Sequence, residues 1–369
     1  MIQGSASASA TERFRQRFAS LDPAHFRPLQ ELWASSIGLG TYLGDANEAT
    51  DALYESAVRT VLTCGCNVID TAINYRCQRS ERTIGRLLQA LAGEGTLRRD
   101  EIILCTKGGY LPFDGEVPAD PARYVVDTVI NAGLAAYDEI VGGCHCLAPA
   151  YLDHALTTSL ANLRVDSIDV YYLHNPEQQL GAVSRETFLA RLQAAFDLLE
   201  RRARDGRLRY YGVATWSGLR RNPGAADYLS LEELMASAAR AGGAEHHFRV
   251  VQLPYNLAMP EACSFKNQTV EDEPLSVFEA AARLGLSVMA SASLLQGRLA
   301  ALSAQLEARI PGCSSSAQRA VQFVRSTAGV TTALVGMKQA AHVEEILALA
   351  RQPLLDAEVI SRLYDRTRR

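Results

Sequence analysis

Val68-Ile69-Asp70-Thr71-Ala72-Ile73-Asn74-Tyr75 opens as a short apolar strand and runs out into an acid and, five residues later, a phenol. An ionisable group where a buried strand ends is either a turn cap or the edge of a site. Which of the two holds depends on whether neighbouring segments repeat the arrangement.

They do. Upstream, residues 34–39 read as a strand and 48–62 as a helix, with Ala52, Leu53, Ala57 and Val58 at helical spacing, before a second strand at 67–69. Downstream, 80–91 is expected as a helix with Ser80 as candidate N-cap, and 101–105 as a third strand. The alternation pauses at 108–149, a Gly/Pro-punctuated, aromatic segment with one candidate helix at 125–136. A long irregular insertion of this kind is usually a functional lid or a disordered loop. The alternation then resumes with strands at 168–173, 208–213, 248–253, 287–290 and 332–335, and helices at 151–162, 185–204, 231–240, 275–284, 317–325, 343–350 and 353–364. Eight apolar strands, each followed by a helix and with no break in composition, require parallel pairing with crossover helices. The predicted fold is α/β, a closed (β/α)₈ barrel formed by residues 31–369 as a single domain. Residues 1–30, Ser/Ala-rich and interrupted by Pro23 and Pro28, are expected as an N-terminal arm.

Composition narrows the function. Of the 369 residues 48% are hydrophobic and 21% charged, enough for a sizeable core, and a net charge of −4 gives no reason to expect nucleic acid or an anionic membrane as partner. No apolar run reaches the roughly 18–20 residues of a membrane span, and no leader pattern opens the chain, so the cytoplasm is the expected location. The eight cysteines are diluted and expected to be reduced thiols. Cys64-Gly65-Cys66 and Cys144-His145-Cys146 lack a second pair at metal-binding spacing, and no metal is expected. Gly38-x-Gly40-x-x-x-Gly44 imitates a dinucleotide fingerprint, but its glycine spacing is wrong and it leaves the later strand ends unexplained.

In a (β/α)₈ barrel the strand C-termini share one mouth. Asp70 ends the second strand with Tyr75 beyond it, Lys107 ends the third, and His174 ends the fourth. Each alone has a bland reading as cap, packing aromatic or structural histidine. Together they are harder to dismiss, because Lys107 is one of only three lysines in the chain and stands between apolar residues and glycines. A lysine there needs an anionic partner, and Asp70 is the obvious one. An adjacent ammonium would favour phenolate at Tyr75 and ease its proton transfer, while His174 could hydrogen-bond a carbonyl oxygen.

These residues belong to a longer series of landmarks. They include Gly38-Leu39-Gly40-Thr41, Ser80-Glu81-Arg82-Thr83-Ile84-Gly85, Thr106-Lys107, Asp169 to His174, Gly212-Val213-Ala214-Thr215, Gln252 to Asn256, Gln296-Gly297 and Gly336-Met337-Lys338. In content and order the series resembles the aldo-keto reductase superfamily. The resemblance implies hydride transfer between NADP(H) and the carbonyl or alcohol carbon of a small aldehyde, ketone or sugar-like substrate. It carries over Asp70, Tyr75, Lys107 and His174 as the catalytic tetrad, with Tyr75 as acid/base. Cofactor contacts are implied at Gly40, Thr41, Thr215, Gln252, Ser291, Gly336, Lys338, His342 and Glu345. Lys338 sits where the family can grip a 2′-phosphate, which favours NADPH, with NADH as the alternative. The chain departs from the family at Ala214-Thr215 (usually Ser-Asn), at Ser291 (commonly aromatic), at Ala292-Ser293-Leu294 (usually Ser-Pro-Leu) and at Arg76 (commonly Gly). Arg76, His145 in the expected lid and Trp216 are candidate substrate contacts. Asn175-Pro176-Glu177 is either turn chemistry or a mark of the sugar-acting branch. The alternatives are an NADP(H)-binding regulatory barrel with little turnover, or an NAD-dependent sugar or alcohol dehydrogenase. The sequence leaves the oligomeric state open.

Overall fold

In the computed structural model, which describes residues 1–364, eight parallel strands close into a barrel. They are β1 (Ile37–Gly40), β2 (Val68–Asp70), β3 (Ile103–Gly108), β4 (Ile168–His174), β5 (Leu208–Ala214), β6 (Phe248–Pro254), β7 (Ser287–Ser291) and β8 (Thr332–Gly336). Neighbours in sequence are neighbours in the barrel, and β8 returns to β1 with Ala333 opposite Ile37. The (β/α)₈ expectation holds. The crossover helices follow from apolar spacing and caps. In Arg185–Arg204, Ser184 accepts from the Thr187 N–H, Phe188, Leu192, Ala195, Phe196 and Leu199 are buried along one face, and Arg201, Arg202 and Arg204 sit at the negative end of the helix dipole. Truncating Leu192 to Ala would cost about 2–5 kcal/mol. Among the described residues no helix is long and apolar enough to cross a membrane.

Residues 1–30 lie against the barrel, with helix Ala8–Arg17 ending before either proline and Ser7 as its cap, and three local expectations differ from the structure. The antiparallel pair Phe26–Leu29 and Leu32–Ser35 places Leu29 and Leu32 against Val68, Ile103 and Val170, closing the N-terminal end. The single first strand is divided, because the Asn67 side chain accepts from Ser35 N at 2.8 Å and donates to Trp33 O at 2.8 Å, while the Ser35 hydroxyl bonds Ile37 O at 2.7 Å. Ser80 is not a cap. Helix Arg79–Gly93 begins one residue earlier, and the Ser80 hydroxyl donates to Thr41 O at 2.9 Å, tying the helix to the exit of β1. The segment after β3 carries only a short helix, Pro121–Val125, which loosens into a π turn at Val126–Ile130, and the two-residue strands Ile140–Val141 and His145–Cys146.

Candidate active site

Three strand ends place the charged centre. Lys107, inside β3, donates from Nζ to Asp70 Oδ2 and to Thr71 O, both at 2.7 Å. The other Asp70 oxygen accepts Gln252 Nε2 from β6 at 2.7 Å, a link across the barrel that sequence spacing does not reveal. Lys107 is 1% exposed and Asp70 4%, so the pair has little water to screen it. The Lys107 ammonium lies 4.9 Å from the Tyr75 ring centroid. Burial works against the charged lysine, but Asp70 and Tyr75 together hold its pKa above the ordinary value. Burial likewise pushes the Tyr75 phenol up, and the attraction of Lys107 opposes this without overcoming it. Lys107 therefore offsets only part of the effect of burial rather than acidifying Tyr75 outright, and the phenol stays protonated at neutral pH.

His174, at the end of β4, stands edge-on to Tyr75 with ring centroids 5.9 Å apart. Burial first, then Lys107 and His145, hold its pKa well below the usual imidazole value, so the ring is neutral. Its Nδ1 is buried without a hydrogen-bond partner among the described residues.

Above this group lies a cavity of about 780 Å³, within the range of roughly 300–1,000 Å³ usual for ligand pockets. Asp70, Tyr75 and His174 line it, as do all nine residues expected to hold a cofactor, from Thr215 and Gln252 on one side to Lys338, His342 and Glu345 after β8. The Thr215 hydroxyl is already committed to Glu177 Oε1 at 2.7 Å, and the same oxygen takes the backbone N–H groups of Trp216 at 2.8 Å and Ser217 at 3.0 Å. Glu177 therefore fixes the exit of β5, which gives Asn175-Pro176-Glu177 a structural role.

Of the three expected substrate contacts, Trp216 lines the cavity and is 46% exposed. The other two are corrected. Arg76 is buried and turned away, its Nη2 on Asp51 Oδ1 at 2.5 Å and Asn47 O at 3.1 Å and its Nε on Asp45 O at 2.8 Å. His145 is fully buried behind β4, with Nε2 on His174 O at 2.8 Å and Nδ1 accepting Gln179 Nε2 at 2.9 Å. Burial pushes its pKa down to about 4. Tyr42, Asn74 and Tyr110 line the cavity and were not singled out in the sequence, and Asn175, read there only as part of the Asn175-Pro176-Glu177 run, lines it too. Tyr110 had a usable signal: it follows Lys107 by three residues, just past a strand end, much as Tyr75 follows Asp70.

The chain is 28% identical over 189 residues to the uncharacterized oxidoreductase YqkF of Bacillus subtilis, covering 50% of this chain and 46% of that protein. It is 30% identical over 169 residues to the NADP(+) aldo-keto reductase yakc of Schizosaccharomyces pombe, covering 44% and 38%. The chain thus spans less than half the length of these relatives. In fold it is similar to an aldo/keto reductase from Klebsiella pneumoniae solved with NADP and acetate, with a TM-score of 0.60 and 21% identity over 91% of this chain and 92% of that one. The profile of the aldo/keto reductase family matches residues 36–311, ending before β8, so Lys338, His342 and Glu345 stand on the cavity alone. With β1 to β7 and the whole charged centre inside the matched stretch, the chain belongs to the aldo/keto reductase family.

Proposed function

We propose that the protein reduces the carbonyl of a small molecule at the expense of NADPH, with Tyr75 donating the proton. The observation that carries this reading is the Asp70–Lys107 pair, sealed from water beneath a phenol that is itself held protonated. The cavity fits the cofactor in volume and in lining: with a proton each given to Asp70 and Glu177, Gln252 and Thr215 keep acceptor oxygens for the N–H groups of the nicotinamide amide, and Lys338, His342 and Glu345 line the end for the adenosine. Bound there, NADPH would supply the hydride.

The residues of the chain account for the rest. As negative charge grows on the substrate oxygen, the Tyr75 proton is close by, and Lys107 stabilises the phenolate that its departure leaves. Asp70 holds Lys107 charged and aimed, and Gln252 holds Asp70. With Nδ1 of His174 sealed without a partner, the lower-cost tautomer carries its proton on Nε2, since a buried unmet acceptor costs less than a buried unmet donor. That N–H is a neutral donor for the same carbonyl oxygen.

Tyr75→Phe tests the assignment. It should lower kcat by roughly 10²–10⁴ while leaving NADPH affinity nearly unchanged, because the ring and its packing remain. Substantial turnover in that variant would remove Tyr75 from the mechanism.

A further inference from the structure

Building on this reductase reading, we propose that Tyr110 is a specificity-determining residue. Its phenol donates a hydrogen bond to an oxygen beside the reacting carbonyl, and the preferred substrates are neutral hydroxycarbonyl compounds.

The argument begins with how firmly Tyr110 is held. The chain leaves β3 through Gly109 at φ +134°, where a Cβ would stand 3.1 Å from both His145 Nε2 and His174 O. Only glycine fits that approach. Tyr110 then forms an isolated bridge with His145, and its carbonyl accepts the Tyr151 hydroxyl at 2.5 Å. Its ring stands edge-on between His174 and His145, with centroids 4.8 Å and 5.2 Å away. His145 is set in turn by Gln179, whose amide orientation is fixed by Arg191 Nη1 donating to Gln179 Oε1 at 2.6 Å. The buried end of the 108–149 segment thus supports Tyr110 and the backbone of His174 together.

The phenol oxygen accepts from Asn175 Nδ2 at 3.0 Å and from Gln178 Nε2. A tyrosine oxygen has room for two acceptances and carries one proton. Both acceptor positions are filled, and the proton is left without a partner among the described residues, in a side chain that lines the cavity next to His174. Burial raises the pKa of this phenol, so the donor persists through neutral pH. If His174 meets the carbonyl oxygen, the Tyr110 proton lies in reach of the oxygen on an adjacent carbon.

The surroundings favour an uncharged partner. Asn175 and His174 stand against Tyr110, the cavity is further lined by the aromatic and amide groups of Tyr42, Asn74 and Trp216, and Asn74 Oδ1 has no partner among the described residues. The lysine that lines the cavity, Lys338, follows β8, which stands across the barrel from β4. An anionic group beside Tyr110 would lose water without gaining an unpaired cation, the nearby Lys107 being held by Asp70.

The test compares kcat/KM for glyceraldehyde, butanal and succinic semialdehyde in the wild type and in Tyr110→Phe. We expect the variant to lose about tenfold or more on glyceraldehyde while butanal changes little, and the anionic aldehyde to be the poorest wild-type substrate. Comparing substrates within one protein cancels any general effect on folding. Equal losses on glyceraldehyde and butanal would mean that the phenol proton serves Asn175, Gln178 or packing, and would overturn the proposal. So would no loss on either, or a preference for succinic semialdehyde. Butanal turnover with unchanged discrimination refutes Tyr110 alone, whereas a wild type inactive on all three refutes the reductase reading and this inference with it.

Discussion

Replacing Lys107 by Met separates the structural from the catalytic role of the buried ion pair. The substitution keeps the stem volume and deletes the ammonium, leaving the Asp70 carboxylate, 4% exposed, with the neutral Gln252 amide at 2.7 Å as its remaining side-chain partner. Breaking a buried pair from one side costs about 3–5 kcal/mol. Against a typical domain stability of about 5–15 kcal/mol this leaves a folded but weakened protein. Catalysis should fall by roughly 10²–10³, the usual effect of deleting one preorganised charge or donor at a developing anion. The double variant Lys107→Met with Asp70→Asn removes both charges and still offers Gln252 an acceptor oxygen. It should recover stability to within about 1–2 kcal/mol of the wild type, because no uncompensated charge is left buried, yet remain inactive. Guanidinium unfolding gives the first quantity and NADPH consumption with a simple aldehyde the second. A single variant as stable as the wild type, or a double variant that regains turnover, would refute this account of the pair.

Two further outcomes follow from the geometry. In the reductive direction kcat/KM should be flat across neutral pH. It should fall only in strong alkali as Tyr75, its pKa raised by burial, loses its proton, and no inflection should appear near the ordinary imidazole pKa because burial keeps His174 neutral well below it. An inflection near pH 6–7 that His174→Asn abolishes would contradict this. Lys338→Ala should weaken NADPH by about tenfold, the scale of one charge-assisted hydrogen bond, and leave NADH unaffected; equal weakening of both, read by titrating the quenching of protein fluorescence, would move the 2′-phosphate elsewhere.

Much of the barrel was legible because its rule is local. Apolar runs of strand length alternating with helical periods force parallel pairing wherever they occur, and chain order then becomes barrel order. Strand-end chemistry was legible for the same reason, since Asp70, Lys107 and His174 are each placed by their own strand. What escaped was long-range. The Gln252 bond to Asp70 spans 182 positions, and the division of the first strand depends on Asn67, an unremarkable polar residue whose side chain replaces a stretch of β-ladder. Glu177 escaped in the same way: its carboxylate gathers donors from a loop about 40 residues further along the chain.

Arg76 and His145 were misread for a reason that bears on how the site works. Residue type tells that a side chain can carry charge or a lone pair, but not whether the protein itself uses them. Arg76, Cys77 and Gln78 have φ of +52°, +54° and +70°, a left-handed turn directly after Tyr75. Such backbone costs about 1–2 kcal/mol per non-glycine residue, which is a physical reason for glycine at the first of these positions in the family. Arg76 offsets the cost by driving its guanidinium onto Asp51 and onto the carbonyls of Asp45 and Asn47. Those residues continue from Thr41, Tyr42 and Leu43, which form the cavity wall, and Asn47 caps helix Glu48–Thr63. A glycine would let the turn form and leave the wall free. The arginine makes the turn conditional on the wall being in place, so the position of Tyr75 and the shape of the cavity beside it are set by the same contacts.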